Sequence, residues 1–205
     1  MNREGASERM KGRFADELKE LMKRKPLDKI SIRELTDGCG VNRQTFYYHF
    51  ADIYDLVKWM YSREVVELIE NQKTADTWKE SFCIVFRYLD ENRSVCRCTL
   101  DSRGYRHLKR FFYDVLCSVV RQYIGFFTGG RETDTEMLEF TVHFYALSLG
   151  AVLENYMGDD CRYTSEQLIK YLERIIEIRR NALEETGYAE WIPDIKDKEF
   201  LNGKA

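Results

Sequence analysis

The sequence predicts an all-α protein, and three observations carry that prediction. Two prolines in 205 residues leave few points where a helix must stop. Apolar residues recur at spacings of three and four along most of the chain, the period of helices that bury one stripe. Capping residues stand just ahead of those stripes at Ser31, Asn42, Asp52 and Thr164. A content of 44% hydrophobic and 14% aromatic residues excludes a disordered chain. No stretch approaches ~18 uninterrupted apolar residues, so no membrane span is expected. The N-terminal ten residues lack the apolar core of a signal peptide, and the six cysteines are expected as reduced thiols of a cytoplasmic protein.

The first helix is read from Met10, Phe14, Leu18 and Leu21, which share one face, with Lys, Glu and Arg on the others. Pro26 ends it, because the residue before a proline is pushed out of the α region. Ser31-Ile32-Arg33-Glu34 is a capping box opening a short second helix, whose inner face is Ile32, Leu35 and Cys39 and whose end is Gly38-Cys39-Gly40. Asn42 caps a third helix, and Val41 and Phe46 stand at the two positions of a hydrophobic staple. Two short capped helices joined by a glycine-containing turn make a helix-turn-helix. An ordinary αα corner has the same outline.

The third helix carries the chemistry that separates the two. At about 100° per residue, Phe46 and Phe50 of the run Arg43 to Phe50 face a core, while Gln44, Thr45 and Tyr48 face away. Arg43 occupies the exposed first turn, and Tyr47 and His49 flank the stripe. Arginine can fork onto guanine O6 and N7, and glutamine onto adenine N6 and N7. Tyrosine hydroxyls and imidazole N–H groups suit phosphate oxygens and thymine edges. Simple packing is the alternative role for the two tyrosines. Residues 1–50 hold 11 Lys+Arg and 8 Asp+Glu, against 21 and 27 in the rest, so a slightly basic head sits on an acidic body.

Asp52 opens the fourth helix with Asp55 in its first turn, and Ile53, Leu56, Val57, Met60, Val65, Leu68 and Ile69 extend it without a break to about Asn71. Thr74 or Thr77 opens a helix that buries Trp78, Phe82, Val85, Phe86 and Leu89. Asn92 to Gly104 reads as irregular and polar. A long helix follows from about Tyr105 to Phe127, closed by Gly129-Gly130. Thr133 opens the next, from about 134 to 157, which is apolar on most sides and must be covered all round. Thr164-Ser165-Glu166 opens the last, with Leu168, Leu172, Ile175 and Ile176 as one seam. Two such helices at the chain's end offer more apolar surface than one body covers. Phe140, Phe144, Leu147, Ala151, Leu168, Leu172, Ile175 and Ile176 are therefore the expected dimer interface, with an intramolecular bundle as the alternative. The domains expected are a helix-turn-helix head at 1–51, a helical body for effector binding and dimerisation at 52–186, and a polar tail at 187–205.

The run Ser31-Ile-Arg-Glu-Leu35 followed by Gly40-Val-Asn-Arg-Gln-Thr-Phe-Tyr-Tyr-His-Phe50 resembles the DNA-binding head of the TetR family of bacterial transcription regulators. The family's Gly-Val-Ser-x-x-Thr-Leu-Tyr-x-x-Phe run falls on Gly40, Val41, Asn42, Thr45, Phe46, Tyr47 and Phe50. Residues 42–47 and Arg87-Tyr-Leu-Asp-Glu-Asn92 are similar to a narrower subgroup, the DhaS-like activators of dihydroxyacetone kinase operons. The resemblance implies a TetR-like fold, a homodimer on a palindromic double-stranded operator, and an unidentified small-molecule effector or protein co-regulator. It assigns DNA contacts to Ser31, Arg33, Asn42, Arg43, Gln44, Thr45, Tyr47, Tyr48 and His49. An effector between the body helices would meet Tyr88, His107, Arg110, Phe111, Tyr113 and His143, which are otherwise core residues. Many members carry Lys just after the terminal Phe and at the start of the next helix, where this chain has Ala51 and Ile53.

No nucleotide-binding glycine loop, no HExxH and no nucleophile–base pair is present, so no enzyme activity, cofactor or metal is expected. Two rival readings remain. One is an interaction module that has lost DNA binding, suggested by Ala51 and Ile53. The other is a redox or metal sensor using Cys96, Cys98 and His107, although Cys96 and Cys98 form C-x-C and not the C-x-x-C that zinc sites favour.

Overall fold

The computed structural model describes residues 3–70, 78–124, 135–158 and 161–186, and all regular structure among them is helical. The expected features at Asn71, Thr74, Thr77, Gly129-Gly130, Thr133 and the tail at 187–205 lie outside the described residues.

The head is built from α1 (Arg3–Met22), a 3-10 turn (Leu27–Lys29), α2 (Ile32–Gly38) and α3 (Arg43–His49). Its core is aromatic. Phe14 of α1 meets Phe46 edge-on with ring centroids 5.4 Å apart and Phe50 at 6.3 Å, while Leu18 and Leu35 close the sides, fully buried. The caps form as their chemistry demands. Ser31 accepts from the Glu34 N–H at 3.2 Å, and Glu34 Oε2 accepts from the Ser31 N–H at 2.9 Å. The Asn42 carbonyl oxygen of the side chain accepts from the Thr45 N–H at 2.9 Å, and Asp52 from the Asp55 N–H at 2.9 Å. Gly40 adopts φ +64, the left-handed turn between α2 and α3 that a side chain would strain.

The body begins with α4 (Ile53–Tyr61), which passes through a π turn (Ser62–Val66) into α5 (Glu67–Glu70). The unbroken helix expected here thus carries one widened turn. The turn packs on two sides: Arg63 lies beside Gly12 of α1 and Glu64 pairs with Lys19 of α1, while Val65 and Val66 line the body interior. Next come α6 (Trp78–Glu91), α7 (Arg93–Leu100), α8 (Tyr105–Gln122), α9 (Thr135–Met157) and α10 (Ser165–Thr186). Helix α7 corrects the reading of 92–104 as irregular. It is short and polar on average, yet it buries Val95, Cys96 and Thr99 on one side, and the Thr99 hydroxyl is absorbed by the Val95 carbonyl at 3.0 Å. Helix α10 starts with a reciprocal cap, in which Thr164 Oγ1 accepts from the Gln167 N–H at 3.2 Å and Gln167 Oε1 from the Thr164 N–H at 3.0 Å. Helices α8 and α9 pack along each other, and α10 covers α6, with Lys79 paired to Glu173 at 2.8 Å.

Head and body share several fixed points. Asp28 of the 3-10 turn accepts from the Arg103 N–H at 3.0 Å and from the Tyr54 hydroxyl at 3.1 Å. Lys11 and Arg63 flank the Trp59 ring at 5.8 and 5.3 Å from its centre.

Candidate nucleic-acid interface and body cavity

Helix α3 presents a face without an acidic residue. Arg43 and Gln44 are exposed in its first turn, and Tyr47 and Tyr48 stand 57% and 82% exposed, far beyond what packing asks of a tyrosine. Burial of Phe46 against Phe14 fixes the rotation that points these four outward. The remaining expected contacts are placed differently. Thr45 is half-buried, with its hydroxyl on the Asn42 side chain at 3.1 Å, so both serve the cap. His49 is half-buried against Phe14 and Phe50, with Nδ1 3.3 Å from the Ser7 hydroxyl, and fastens α3 to α1. Ser31 is exposed but engaged with Glu34, whose carboxyl is held down to about 2 by the Lys25 ammonium and by Ser31. Arg33 is exposed beside Asp37 at 3.5 Å. Of the two positions where the family resemblance leads one to expect lysine, Ala51 is exposed and Ile53 packs against the core.

The body holds a partly open cavity of about 380 Å³ between α4, the π turn, α5, α6, α7, α8 and α9. Of the residues expected to line it, Tyr88, Phe111 and Tyr113 do. His107, Arg110 and His143 do not. His107 and Arg110 sit one turn apart on the solvent side of α8, where Arg110 pairs with Asp114 at 3.0 Å. His143 is exposed on α9 and meets the Tyr113 hydroxyl at 2.7 Å. Sequence reasoning missed Tyr61, Thr99 and Tyr105. The available signal was the face Tyr105, Lys109, Phe112 and Leu116 of α8, spaced four, three and four, whose members all line the cavity.

One carboxylate joins cavity and head. Glu64 Oε2 accepts from the Tyr88 hydroxyl at 2.7 Å and pairs with Lys19 of α1 at 2.8 Å. Burial, with Glu64 beside it, pushes the Tyr88 phenol well above its ordinary range, so Tyr88 stays a donor.

Cys96 and Cys98 lie two residues apart on α7, which turns their thiols to different sides of the helix. Burial pushes the Cys96 thiol up to about 11, and Cys98 gives its S–H to the Lys25 carbonyl at 3.5 Å. Neither is a ready thiolate. Among the described residues, no three His, Cys, Asp or Glu side chains are grouped to hold a metal ion. No described helix is long and apolar enough to cross a membrane.

The expected dimer residues divide. Phe140, Phe144, Leu147 and Ala151 form one exposed stripe on α9, and Ile175 is exposed on α10 beside Tyr171 and Ile178. Leu168 and Ile176 turn inward and are buried within the chain, and Leu172 lies between, half-buried.

Residues 16–60 match the family described as "Bacterial regulatory proteins, tetR family", and residues 76–178 match "Transcriptional regulator C-terminal region". A curated relative, the HTH-type dhaKLM operon transcriptional activator DhaS of Lactococcus lactis subsp. lactis (strain IL1403), is 30% identical over 80 residues. That stretch is 39% of this chain and 43% of the relative, so the chain spans less than half of that protein. A solved structure of a dihydroxyacetone kinase operon activator DhaS has the same fold, with a TM-score of 0.67 at 18% identity over 84% of this chain and 96% of that one.

Proposed function

The chain belongs to the TetR family of bacterial transcription regulators, and from that premise we propose that it works in the cytoplasm as a homodimer that binds a palindromic operator under the control of an effector. The observation that carries this reading is the exposed, acid-free face of α3, with Arg43, Gln44, Tyr47 and Tyr48 outward. In a major groove Arg43 and Gln44 read base edges, and the two tyrosines contact phosphate and sugar. The exposed stripe of α9 and the outer face of α10 support a two-fold interface, which sets half-sites roughly 34–36 Å apart or at multiples of it. The protein acts by binding and not by catalysis. The operon named in its relatives, that of dihydroxyacetone kinase, is the pathway to test first.

Control passes through the π turn. An occupant of the cavity changes the position of Tyr88, hence of Glu64, hence the hold on Lys19 in the head. Such an occupant shifts the two head arrangements only as far as it binds one better than the other.

The test is operator binding by gel shift with the DNA upstream of the protein's own gene. Wild type is expected to select one palindrome, and Arg43→Ala or Gln44→Ala to lose about 1–3 kcal/mol of base discrimination per bidentate contact removed. Retained discrimination in both variants removes them from base readout. No binding to any duplex leaves the interaction module as the better reading.

A further inference from the structure

We propose that the body cavity takes an uncharged, ring-bearing apolar molecule and not a small polar or charged metabolite; the proposal rests on the effector reading above and names the chemistry of its ligand. A volume of about 380 Å³ lies within the range of sites for small organic ligands. Val65, Val85, Leu116, Val119, Leu149 and Met157 supply aliphatic walls. The aromatic wall is a set of edge-on and tilted rings, with Tyr61 and Phe112 at 5.2 Å, Phe111 and Phe112 at 5.3 Å, and Tyr61 and Tyr88 at 6.0 Å between centres. Such a wall offers ring edges and faces to a further ring.

The polar groups of the lining are already spoken for. Tyr61 and Thr99 share a hydrogen bond at 3.0 Å, and Ser81 and Tyr123 another at 3.0 Å. Tyr88 donates to Glu64 at 2.7 Å, Tyr105 donates to Glu154 at 2.9 Å, and Tyr113 bonds His143 at 2.7 Å. Lys109, the cation of the lining, pairs with that same Glu154 at 3.1 Å. The hydroxyl protons are thus committed, so a ligand carbonyl, carboxylate or phosphate would have to break one of these pairs and a ligand hydroxyl would find only spare acceptor lone pairs, whereas an apolar ligand has only to displace water. The cavity rewards area, not hydrogen bonds.

The full-length protein is titrated with N-phenyl-1-naphthylamine, an uncharged two-ring-system probe, followed by its emission and by calorimetry. The expected result is saturable binding of one probe per chain with a negative heat-capacity change. Val85→Phe and Val119→Phe, two independent fillings of the cavity, are each expected to weaken binding about tenfold or more. Millimolar dihydroxyacetone is expected to displace none of the probe. Absence of saturable binding overturns the proposal. So does binding indifferent to both fillings in variants that melt cooperatively, and so does displacement by dihydroxyacetone; this competition uses wild type and decides even if a filled variant fails to fold. Operator affinity measured with and without saturating probe separates the two readings. A probe that binds without changing operator affinity upholds the ligand chemistry and overturns effector control, whereas operator affinity that responds to dihydroxyacetone while the probe does not bind upholds effector control and overturns the ligand chemistry.

Discussion

Phe46 touches both sides of the head's problem, since the ring that fills the core also sets which residues of α3 reach outward. It has no exposed surface and packs on Phe14, Tyr47 and Phe50. Phe46→Ala is expected to cost about 3–5 kcal/mol in a denaturant titration of the full chain. His49, three positions on, makes the head sensitive to acid. Burial and then the charge of Lys11 lower its pKa, with Glu8 opposing. The unfolded histidine takes a proton near its ordinary value of about 6.5, while the folded one resists it. Stability from the neutral ring is therefore complete above that value and is lost as pH falls through it. Thermal unfolding at about pH 7.5 and about pH 5.5 checks this, with His49→Gln expected to shrink the difference between the two.

At the scale of elements, the last helix separates fold from assembly in adjacent residues. Ile175 is 54% exposed and Ile176 only 8%. Ile175→Glu is expected to keep a cooperative melt and shift sedimentation towards monomer, because the charge lies in the proposed interface. Ile176→Glu is expected to damage the fold itself, since it buries a charge without a partner. Only part of this was legible beforehand. The caps at Ser31, Asn42, Asp52 and Thr164 could be read because each is a hydrogen bond between residues three apart. The seam of the last helix could be read as apolar but not divided into inner and outer residues, because neighbouring side chains on one helix differ in exposure only once α6 lies beneath them. Helix α7 escaped notice because it is short and polar on average, with Arg93, Ser94 and Arg97 around the side chains it buries. The cavity was half read. Tyr88, Phe111 and Tyr113 line it, but polar character drew His107, Arg110 and His143 into a list from which helical phase on α8 and exposure on α9 exclude them.

For the whole molecule, charge is distributed so that DNA binding gains little from bulk attraction. Residues 1–50 carry a surplus of three positive charges and the rest of the chain a surplus of six negative ones. Arg13 is committed to the Cys39 carbonyl at 2.5 Å and Lys11 to Glu8 at 2.8 Å. Operator affinity is therefore expected to fall only gently with salt, and Ala51→Lys, at an exposed position beside α4, to steepen the log–log slope by about 0.9 per subunit in a salt titration. A steep wild-type slope that Ala51→Lys leaves unchanged would place the phosphate contacts elsewhere. The π turn at Ser62–Val66 has a consequence best put in genetic terms. A π turn is a helix carrying one codon's worth of surplus chain. An in-frame loss of one codon there yields a regular α-helix and leaves what lies beyond it in phase, because the widened turn had absorbed the surplus residue. Ile69 would stay buried, while the turn that carries Glu64 tightens and its hold on Lys19 of α1 changes. Such an allele is expected to keep a cooperative melt and its operator binding in a gel shift, while operator binding is uncoupled from the cavity.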